Sequence, residues 1–508
     1  MPGWRDQLRH VSLIFACGTA LFSDGYGNSV IGNGEHSSER LSSFTKPDSK
    51  IHPLLTVNTL LTRIYGSAQL AQHDYSRTLT SLTFAGTAVG MLIFGYISDK
   101  IGRKFGMMTA AAIVALFSGL SAASSGAHGS IGGLLSMLGA MRFLLGIGIG
   151  AEYPCGSVSA SEQSEGPLIS KRAQHRWFAL ATNTMIDLGF VMGCFVPLVL
   201  FWIFGNDHLR AVWRLSLGLG VVPALAVFFW RLNMEEPDRY KRDSMKFAKI
   251  PYLLIFRRYG VRLAGISAVW FLYNLIVYPF GLYSSIVVNN ITGGASDLTI
   301  VLGWATVINL FYLPGSLVGA FVVDYLGARN TMITGLVLQA IIGFIMSGLY
   351  AKLVVHVGAF AVVYGIFLSF GELGPGNCIG LLASKTSPTA VRGQFYGIAA
   401  AIGKLGAFVG TWMFPPIIDA FGGPDSARGN TGPFWIGSGV AVLSAIITIL
   451  FVKPLTTDGM EKEDAEFREY LEANGYDTSA MGLPGDVSTI RESAEEKNSK
   501  EYSKENDA

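Results

Sequence analysis

The sequence predicts an all-α membrane protein with twelve transmembrane helices in two pseudo-symmetric six-helix bundles. Three observations predict this fold: a composition that is 50% hydrophobic and only 15% charged, long apolar runs, and an internal repeat. Soluble proteins carry about 25% charged residues. The low charged fraction therefore places most of this 508-residue chain in a lipid bilayer.

Apolar runs of about 20 residues, the length that crosses a bilayer core, recur along the chain. They lie at residues 11–32, 77–98, 105–126, 133–157, 177–203, 212–231, 260–288, 298–324, 331–351, 355–384, 394–420 and 432–452. The grouping predicts an N-terminal bundle at 1–231, a cytoplasmic central loop at 232–258 and a C-terminal bundle at 259–452. The polar residues 453–508 are expected to form a disordered cytoplasmic tail.

Lys and Arg residues concentrate in alternate loops, a bias that marks the cytoplasmic side of membrane proteins. The richest loops are those at residues 100–104, 171–176 and 231–262. This bias predicts a multi-pass protein with both termini in the cytoplasm. The net charge of +2 gives no reason to expect a nucleic-acid partner.

The two predicted bundles repeat each other at an offset of 220 residues. This offset relates Glu152 to Glu372 and Arg172 to Arg392. Parallel halves related by an axis along the membrane normal, with the binding site between them, are a known transporter architecture. The repeat therefore predicts a central site between the two halves.

Five ionisable side chains interrupt the apolar runs: Asp24, Glu152, Asp187, Glu372 and Lys404. A charge at the bilayer centre costs about 2.5–3.5 kcal/mol on insertion scales, so such residues usually face a water-filled cavity. One lysine among these acids predicts a path that holds an anion and moves protons. No nucleophile–base or metal-ligand spacing is evident, so we expect neither enzyme activity nor a metal or other cofactor.

A short loop motif, G-Y-I-S-D-K-I-G-R-K at residues 95–104, closes the second predicted helix. With Arg142 and the glycines that follow it, this motif resembles the major facilitator superfamily. The resemblance covers about residues 11–452 and implies the major facilitator fold. It also implies that Asp99, Arg103 and Arg142 act in conformational gating.

Within that superfamily, several segments resemble the phosphate:proton symporters. They are S-D-G-Y at 23–26, G-I-G-A-E-Y-P at 148–154, W-x-x-x-N-x-x-x-Y at 270–278 and A-I-G-K-L-G-A at 401–407. The resemblance implies that proton coupling involves Asp24 and Glu152. It also implies an anion site, lined by Tyr153, Trp270, Tyr278 and Lys404.

Amide side chains mark three departures from the phosphate-symporter pattern. Asn274 stands where that family carries Asp, Asn183 lies near its usual Gln, and Gly376-Asn377 replaces a Pro-Asn step. Inorganic phosphate keeps a P–OH donor that a carboxylate accepts, whereas an acid only repels a phosphodiester. An amide can donate to the phosphodiester oxygens. We therefore predict an organic phosphate anion as substrate, with Asn183, Asn274 and Asn377 among its contacts.

The whole sequence resembles the fungal glycerophosphodiester permeases. This resemblance implies a plasma-membrane proton symporter that imports glycerophosphoinositol, glycerophosphocholine or both by alternating access. In this hypothesis Glu152 or Asp24 takes a proton, and the proton frees Lys404 to bind the phosphodiester.

Two other functions remain as alternatives: an inorganic phosphate:proton symporter, and a nutrient sensor that does not transport. A structural interpretation also remains for Lys404, as the ion-pair partner of Glu372 or Glu152. Asp187 and Glu372 receive no role, because the phosphate-symporter pattern lacks them.

Overall fold

The computed structural model describes residues 4–31, 57–66, 70, 75–292, 297–423, 426–456 and 458–483. Over these residues the chain forms helices and no strands. The helices are α1 (Trp4–Gly18), α2 (Phe22–Ile31), α3 (Val57–Tyr65), α4 (Tyr75–Lys100), α5 (Arg103–Ala122), α6 (Ile131–Glu152), α7 (Val158–Ser164), α8 (Gln174–Ala181), α9 (Asn183–Phe204), α10 (Leu209–Gly218), α11 (Val221–Arg231), α12 (Asp238–Asp243), α13 (Tyr252–Thr292), α14 (Leu298–Leu310), α15 (Tyr312–Leu326), α16 (Ala328–Gly348), α17 (Tyr350–Leu353), α18 (Val357–Gly371), α19 (Asn377–Lys385), α20 (Arg392–Ala420), α21 (Ala427–Phe451) and α22 (Gly459–Ala473).

The predicted membrane spans are present in the described chain. Eleven helical stretches there are long and apolar enough to cross a membrane. The remaining predicted span, 11–32, is divided between α1 and α2 by a 3-10 turn at Thr19–Leu21. This segment packs directly on the backbone of α9, because a Cβ at Gly25 would lie 1.9 Å from the carbonyl oxygen of Ile186.

Helices pair first within each half of the chain and then across the halves. In the first half α4 packs along α6 and α2 along α9, while in the second α13 packs along α20 and α16 along α21. Two further contacts, of α20 with α4 and of α14 with α9, join the halves beside a central cavity. Helix α13 begins at Tyr252, inside the predicted loop 232–258.

Glycines set the distance between α4 and α20, the main contact between the halves. A Cβ at Gly397 would lie 2.4 Å from the carbonyl oxygen of Met91, and one at Gly95 would lie 2.9 Å from that of Gly393. Small residues of this kind let membrane helices approach closely. The halves are therefore in backbone contact near the end of α4 that carries the 95–104 motif.

Part of the predicted disordered tail is a helix. Along α22, the buried residues Met460, Asp464, Phe467 and Leu471 recur at helical spacing and form one face. Such a stripe buries one side of a helix even when its overall composition is strongly polar. The prediction of disorder for 453–508 is thus wrong over α22, since it rested on average composition. Residues 484–508 lie outside the described part of the chain.

Candidate functional site

A buried ion pair between Lys404 and Asp24 lies beside the central cavity. The Lys404 Nζ donates to Asp24 Oδ2 at 2.9 Å and to Oδ1 at 3.2 Å. The side chain of Lys404 is 2% exposed and that of Asp24 is fully buried. Lys404 lines the cavity, with Asp24 behind it. Helix α20 therefore carries the cation, and α2, from the other half, carries its counter-ion.

Tyrosines and an amide complete the surroundings of this pair. The Tyr153 hydroxyl donates to Asp24 Oδ2 at 2.6 Å, and Asn28 Nδ2 donates to Oδ1 at 2.9 Å. The Tyr278 hydroxyl accepts from Lys404 and lies 3.4 Å from Asp24 Oδ2. The Lys404 ammonium also lies 4.5 Å from the centre of the Tyr278 ring. We call Asp24, Tyr153, Tyr278 and Lys404 the lysine cluster.

The cavity contains about 1080 Å³ of space, its opening included. Side chains from both halves of the chain line this space. Of the predicted substrate contacts, those that line the cavity are Tyr153, Asn183, Trp270, Asn274, Tyr278 and Lys404. Three of these residues, Trp270, Asn274 and Tyr278, are spaced four apart along α13 and therefore lie on one face of that helix.

A pair of carboxylates lines another part of the same cavity. Asp187 comes from α9 in the first half, and Glu372 opens a π-helical turn, Glu372–Gly376, between α18 and α19. Glu372 accepts hydrogen bonds from Tyr273 at 2.8 Å and from Asn183 at 3.1 Å. Such π turns often occur at functional sites. We call Asp187 and Glu372 the acid pair.

The proton-coupling prediction for Glu152 is not supported by its surroundings. Both Glu152 oxygens accept hydrogen bonds at 2.8 Å from the guanidinium of Arg231, and both side chains are buried. Arg231 also donates to the carbonyl oxygens of Ala16 and Cys17. A guanidinium therefore neutralises Glu152 outside the cavity lining, and this arrangement favours a structural role for the acid.

The structure does not place Asn377, another predicted substrate contact, in the cavity lining. Its amide nitrogen donates to the carbonyl oxygen of Ser316 at 2.9 Å, and its side chain is not among those that line the cavity. Sequence spacing places Asn377 near Glu372 but does not show towards which neighbouring helix its side chain points. The π turn at Glu372–Gly376 aims Asn377 at α15.

Two predicted gating residues, Asp99 and Arg103, lie where the halves meet. The Asp99 carboxylate accepts hydrogen bonds from Arg103 at 2.6 Å and from the backbone nitrogens of Gly393 and Gln394 at 2.8 Å. Arg142, the third predicted gating residue, is placed elsewhere. It is buried within the first half and donates to the carbonyl oxygen of Gly27.

The same junction continues through Glu162 to α22. Glu162 Oε1 accepts from Arg103 at 3.2 Å and from Arg392 at 3.0 Å, so one carboxylate bridges both halves. Asp464 of α22 accepts from Thr389 backbone nitrogen at 2.6 Å. Burial raises the pKa of the Asp464 carboxyl above its usual value, although nearby Arg392 acts in the opposite direction.

Sequence reasoning missed Tyr273, which binds Glu372, and the cavity-lining rings of Phe190 and Tyr312. A signal for Tyr273 was present, since it lies three residues after Trp270 on the same helix face. No comparable pattern marks Phe190 or Tyr312. Among the described residues, no group of three His, Cys, Asp or Glu side chains could hold a metal ion.

Comparison with known proteins relates the chain to membrane transporters. The family model described as "Sugar (and other) transporter" matches residues 53–249 and 241–467. The glycerophosphocholine permease GIT4 of Candida albicans is 43% identical, over 96% of this chain and 86% of the permease. The major glycerophosphoinositol permease GIT3 of Candida albicans is 42% identical, over 97% of this chain and 87% of that protein.

More distant similarity extends to a phosphate transporter and to solved structures. The inorganic phosphate transporter PT2 of Toxoplasma gondii is 30% identical, over 75% of this chain and 65% of that protein. The proton:xylose symporter XylE, bound to 6-bromo-6-deoxy-D-glucose, has a TM-score of 0.70 and 17% identity, over 91% of this chain and 99% of XylE. This structural similarity confirms the predicted fold, with its long helices in two halves.

Proposed function

We propose that this chain imports glycerophosphodiesters together with protons. The chain belongs to the sugar (and other) transporter family of the major facilitator superfamily, and within it to the fungal glycerophosphodiester permeases. The single observation that carries this proposal is the buried ammonium of Lys404 at the wall of the central cavity. A neutral sugar gives no reason to keep a lysine there, whereas a phosphodiester anion does.

The lysine cluster suits a phosphodiester. Lys404 offers a positive charge, and the hydroxyl of Tyr278 and the amide of Asn274 offer neutral donors on the same cavity wall. Charge-assisted hydrogen bonds to phosphate oxygens are about twice as strong as neutral ones. The amide at Asn274 lets the site accept an anion that has no P–OH donor of its own.

Proton coupling is proposed to act through Asp24. While Asp24 is ionised, it neutralises Lys404 and competes with the substrate for the ammonium. A proton on Asp24 removes this competition, so Lys404 becomes available to the phosphodiester. After the halves close and reopen on the cytoplasmic side, loss of the proton lets Asp24 recapture Lys404 and displace the substrate. Glu152 has no part in this cycle, because Arg231 neutralises it.

We propose the plasma membrane as the location, with both termini in the cytoplasm. The concentration of Lys and Arg in alternate loops supports the orientation, and the similarity to permeases supports the location. Under this orientation the junction of Asp99, Arg103, Glu162 and Arg392 closes the cytoplasmic side of the cavity.

Uptake measurements test the proposed function. Labelled glycerophosphocholine, glycerophosphoinositol and inorganic phosphate are offered in parallel, at acidic and at neutral pH, to cells that lack their own uptake systems. We expect the phosphodiesters to be accumulated, more strongly at acidic pH, and to compete far better than phosphate. Equal or preferential uptake of phosphate would make the chain an inorganic phosphate symporter, an alternative that the similarity to PT2 favours.

Replacement of Asp24 by Asn tests the coupling step. An amide cannot take up the proton, so Asp24→Asn is expected to abolish concentrative uptake and its pH dependence. Exchange of internal for external substrate should continue, since Lys404 stays free to bind the anion. Counterflow in proteoliposomes measures this exchange. A variant that still concentrates substrate with unchanged pH dependence contradicts the role of Asp24.

Removal of the Tyr278 hydroxyl tests the anion site. Tyr278→Phe keeps the ring but loses the contact with Lys404 and Asp24. Because one hydrogen bond to a charged group contributes about 1.5–3 kcal/mol, we expect KM to rise about tenfold or more. Tyr364→Phe is a suitable control, since that hydroxyl bonds to the backbone of Phe280 instead. An unchanged KM in Tyr278→Phe would exclude this hydroxyl from the site.

A nutrient sensor that binds without transport is distinguished by the same uptake experiment. Such a sensor would bind glycerophosphodiesters and show no flux. Flux through the purified protein in proteoliposomes would exclude this alternative.

A further inference from the structure

The acid pair brings two carboxylates of opposite halves to one cavity. Asp187 is 1% exposed and Glu372 is 4% exposed, and both line the cavity. Among the described residues, neither carboxylate is paired with a Lys, Arg or His, unlike Asp24, Glu152 and the acids of the cytoplasmic junction. Two neighbouring carboxylates without a cation repel each other in a buried site.

Asp187 also has unused hydrogen-bonding capacity. Its Oδ2 atom is buried and has no hydrogen-bond partner in the described structure. Buried polar groups are almost always satisfied, so an exception calls for an explanation such as a ligand. Glu372, in contrast, accepts from Tyr273 and Asn183, which fix its position opposite Asp187.

Aromatic rings surround this part of the cavity. The ring centres of Phe190 and Tyr312 lie 5.6 Å apart, and Phe190 lies 6.4 Å from Tyr278. Tyr278 in turn contacts Lys404. One continuous wall of rings therefore runs from the acid pair to the lysine cluster, and all of these side chains line the same cavity.

We propose that the acid pair and the rings of Tyr273, Phe190 and Tyr312 form a subsite for a quaternary ammonium group. Aromatic faces and carboxylates together recognise such cations, which have no hydrogen to donate. This inference rests on the proposed function and deepens it. The lysine cluster holds the phosphodiester, and the acid pair holds the ammonium of a zwitterionic substrate such as glycerophosphocholine.

The charges favour a cation over a polyol in this subsite. Among the described residues no Lys, Arg or His is paired with the acid pair, so negative charge on Asp187 or Glu372 has no counter-ion of its own. A trimethylammonium group cancels part of this charge and relieves the repulsion between the two carboxylates. The hydroxyl groups of inositol would donate hydrogen bonds but would leave this charge in place. The subsite therefore selects glycerophosphocholine over glycerophosphoinositol.

A binding experiment on the purified full-length protein tests the subsite without transport. Choline and tetramethylammonium are expected to raise its unfolding temperature in detergent. The uncharged analogue 3,3-dimethylbutan-1-ol has the shape of choline and should have little effect. Equal stabilisation by choline and by this analogue would overturn the proposal, whether or not the chain transports phosphodiesters.

Uptake by variants provides the second test. Asp187→Asn and Glu372→Gln are each expected to lower the ratio of glycerophosphocholine to glycerophosphoinositol uptake by about tenfold, the effect of a desolvated cation contact. Asp419→Asn, an exposed acid at the end of α20, is the matched control and should keep the wild-type ratio.

The outcomes separate this inference from the proposed function. Wild-type protein that transports neither phosphodiester contradicts the proposed function, while choline binding still decides the subsite. In another outcome, the variants lose uptake of both substrates to the same extent and also lose the pH dependence of uptake. This result would identify the acid pair as a proton site and overturn the ammonium proposal. Variants that fail to fold leave the choline experiment on the wild-type protein to decide it.

Discussion

Replacement of Lys404 by glutamine is expected to abolish uptake of glycerophosphodiesters, lowering it by about 100-fold or more. Loss of one partner of a buried, hydrogen-bonded charge pair costs about 2–5 kcal/mol. In this protein the loss has two parts. The phosphodiester loses its only cation in the lysine cluster, and Asp24 is left as a buried carboxylate without its counter-ion.

A double variant separates these two parts. Asp24→Asn combined with Lys404→Gln removes both charges, so no unpaired charge remains at the contact between α2 and α20. Replacing a buried ion pair by neutral groups is often close to neutral for stability. We therefore expect the double variant to recover the wild-type unfolding temperature and expression but to remain inactive in uptake.

Transport by the double variant would contradict the role of Lys404 as the anion contact. The lysine would then be a structural partner of Asp24, and another cavity residue would have to bind the phosphate. Uptake and unfolding temperature are measured on the same preparations, so that loss of folding is not mistaken for loss of binding.

Replacement of Glu152 by glutamine is expected to destabilise the protein by about 3–5 kcal/mol, the cost of breaking a buried ion pair by removing one partner. Arg231 would keep its contacts with the carbonyl oxygens of Ala16, Cys17 and Met107. The glutamine amide could accept only one of the two hydrogen bonds that the Glu152 carboxylate accepts and would carry no negative charge. The charge of Arg231 would then be buried without compensation. Unfolding temperature and the yield of folded protein measure the effect.

The pH dependence of uptake decides between a structural and a coupling role for Glu152. We expect the residual folded Glu152→Gln protein to concentrate substrate with the wild-type pH dependence, because the proposed coupling acts through Asp24. The variant Glu152→Gln/Arg231→Gln has no unpaired charge and should recover stability. Loss of pH dependence in folded Glu152→Gln protein would return Glu152 to the coupling mechanism.

The α22 helix shows why composition alone predicted too little order in the tail. Its average polarity is high, but Met460, Phe467 and Leu471 fall on one face and are buried. Asp464 on the same face binds Thr389 at the junction between the two halves. A search for helical periodicity within 453–508 could have found this face, although not the surface that covers it.

The site residues also show which features a local sequence pattern can predict and which depend on tertiary packing. Trp270, Asn274 and Tyr278 were predicted together, because a spacing of four residues places them on one face of any helix. Glu152 and Asn377 have the residue types of site groups, but Arg231 and the Ser316 carbonyl engage them instead. Neither partner is near in sequence, so no local pattern could identify it.

Residue type and spacing determined what needs no knowledge of contacts: the apolar spans, the two-fold repeat, and the rare charges within the membrane. Tertiary structure alone decided how those charges are distributed. Lys404 and Asp24 are 380 positions apart in the chain and meet only because the packing of the two halves brings their side chains together beside the cavity. The energy of a buried charge depends on its nearest partner, and helix packing selects that partner.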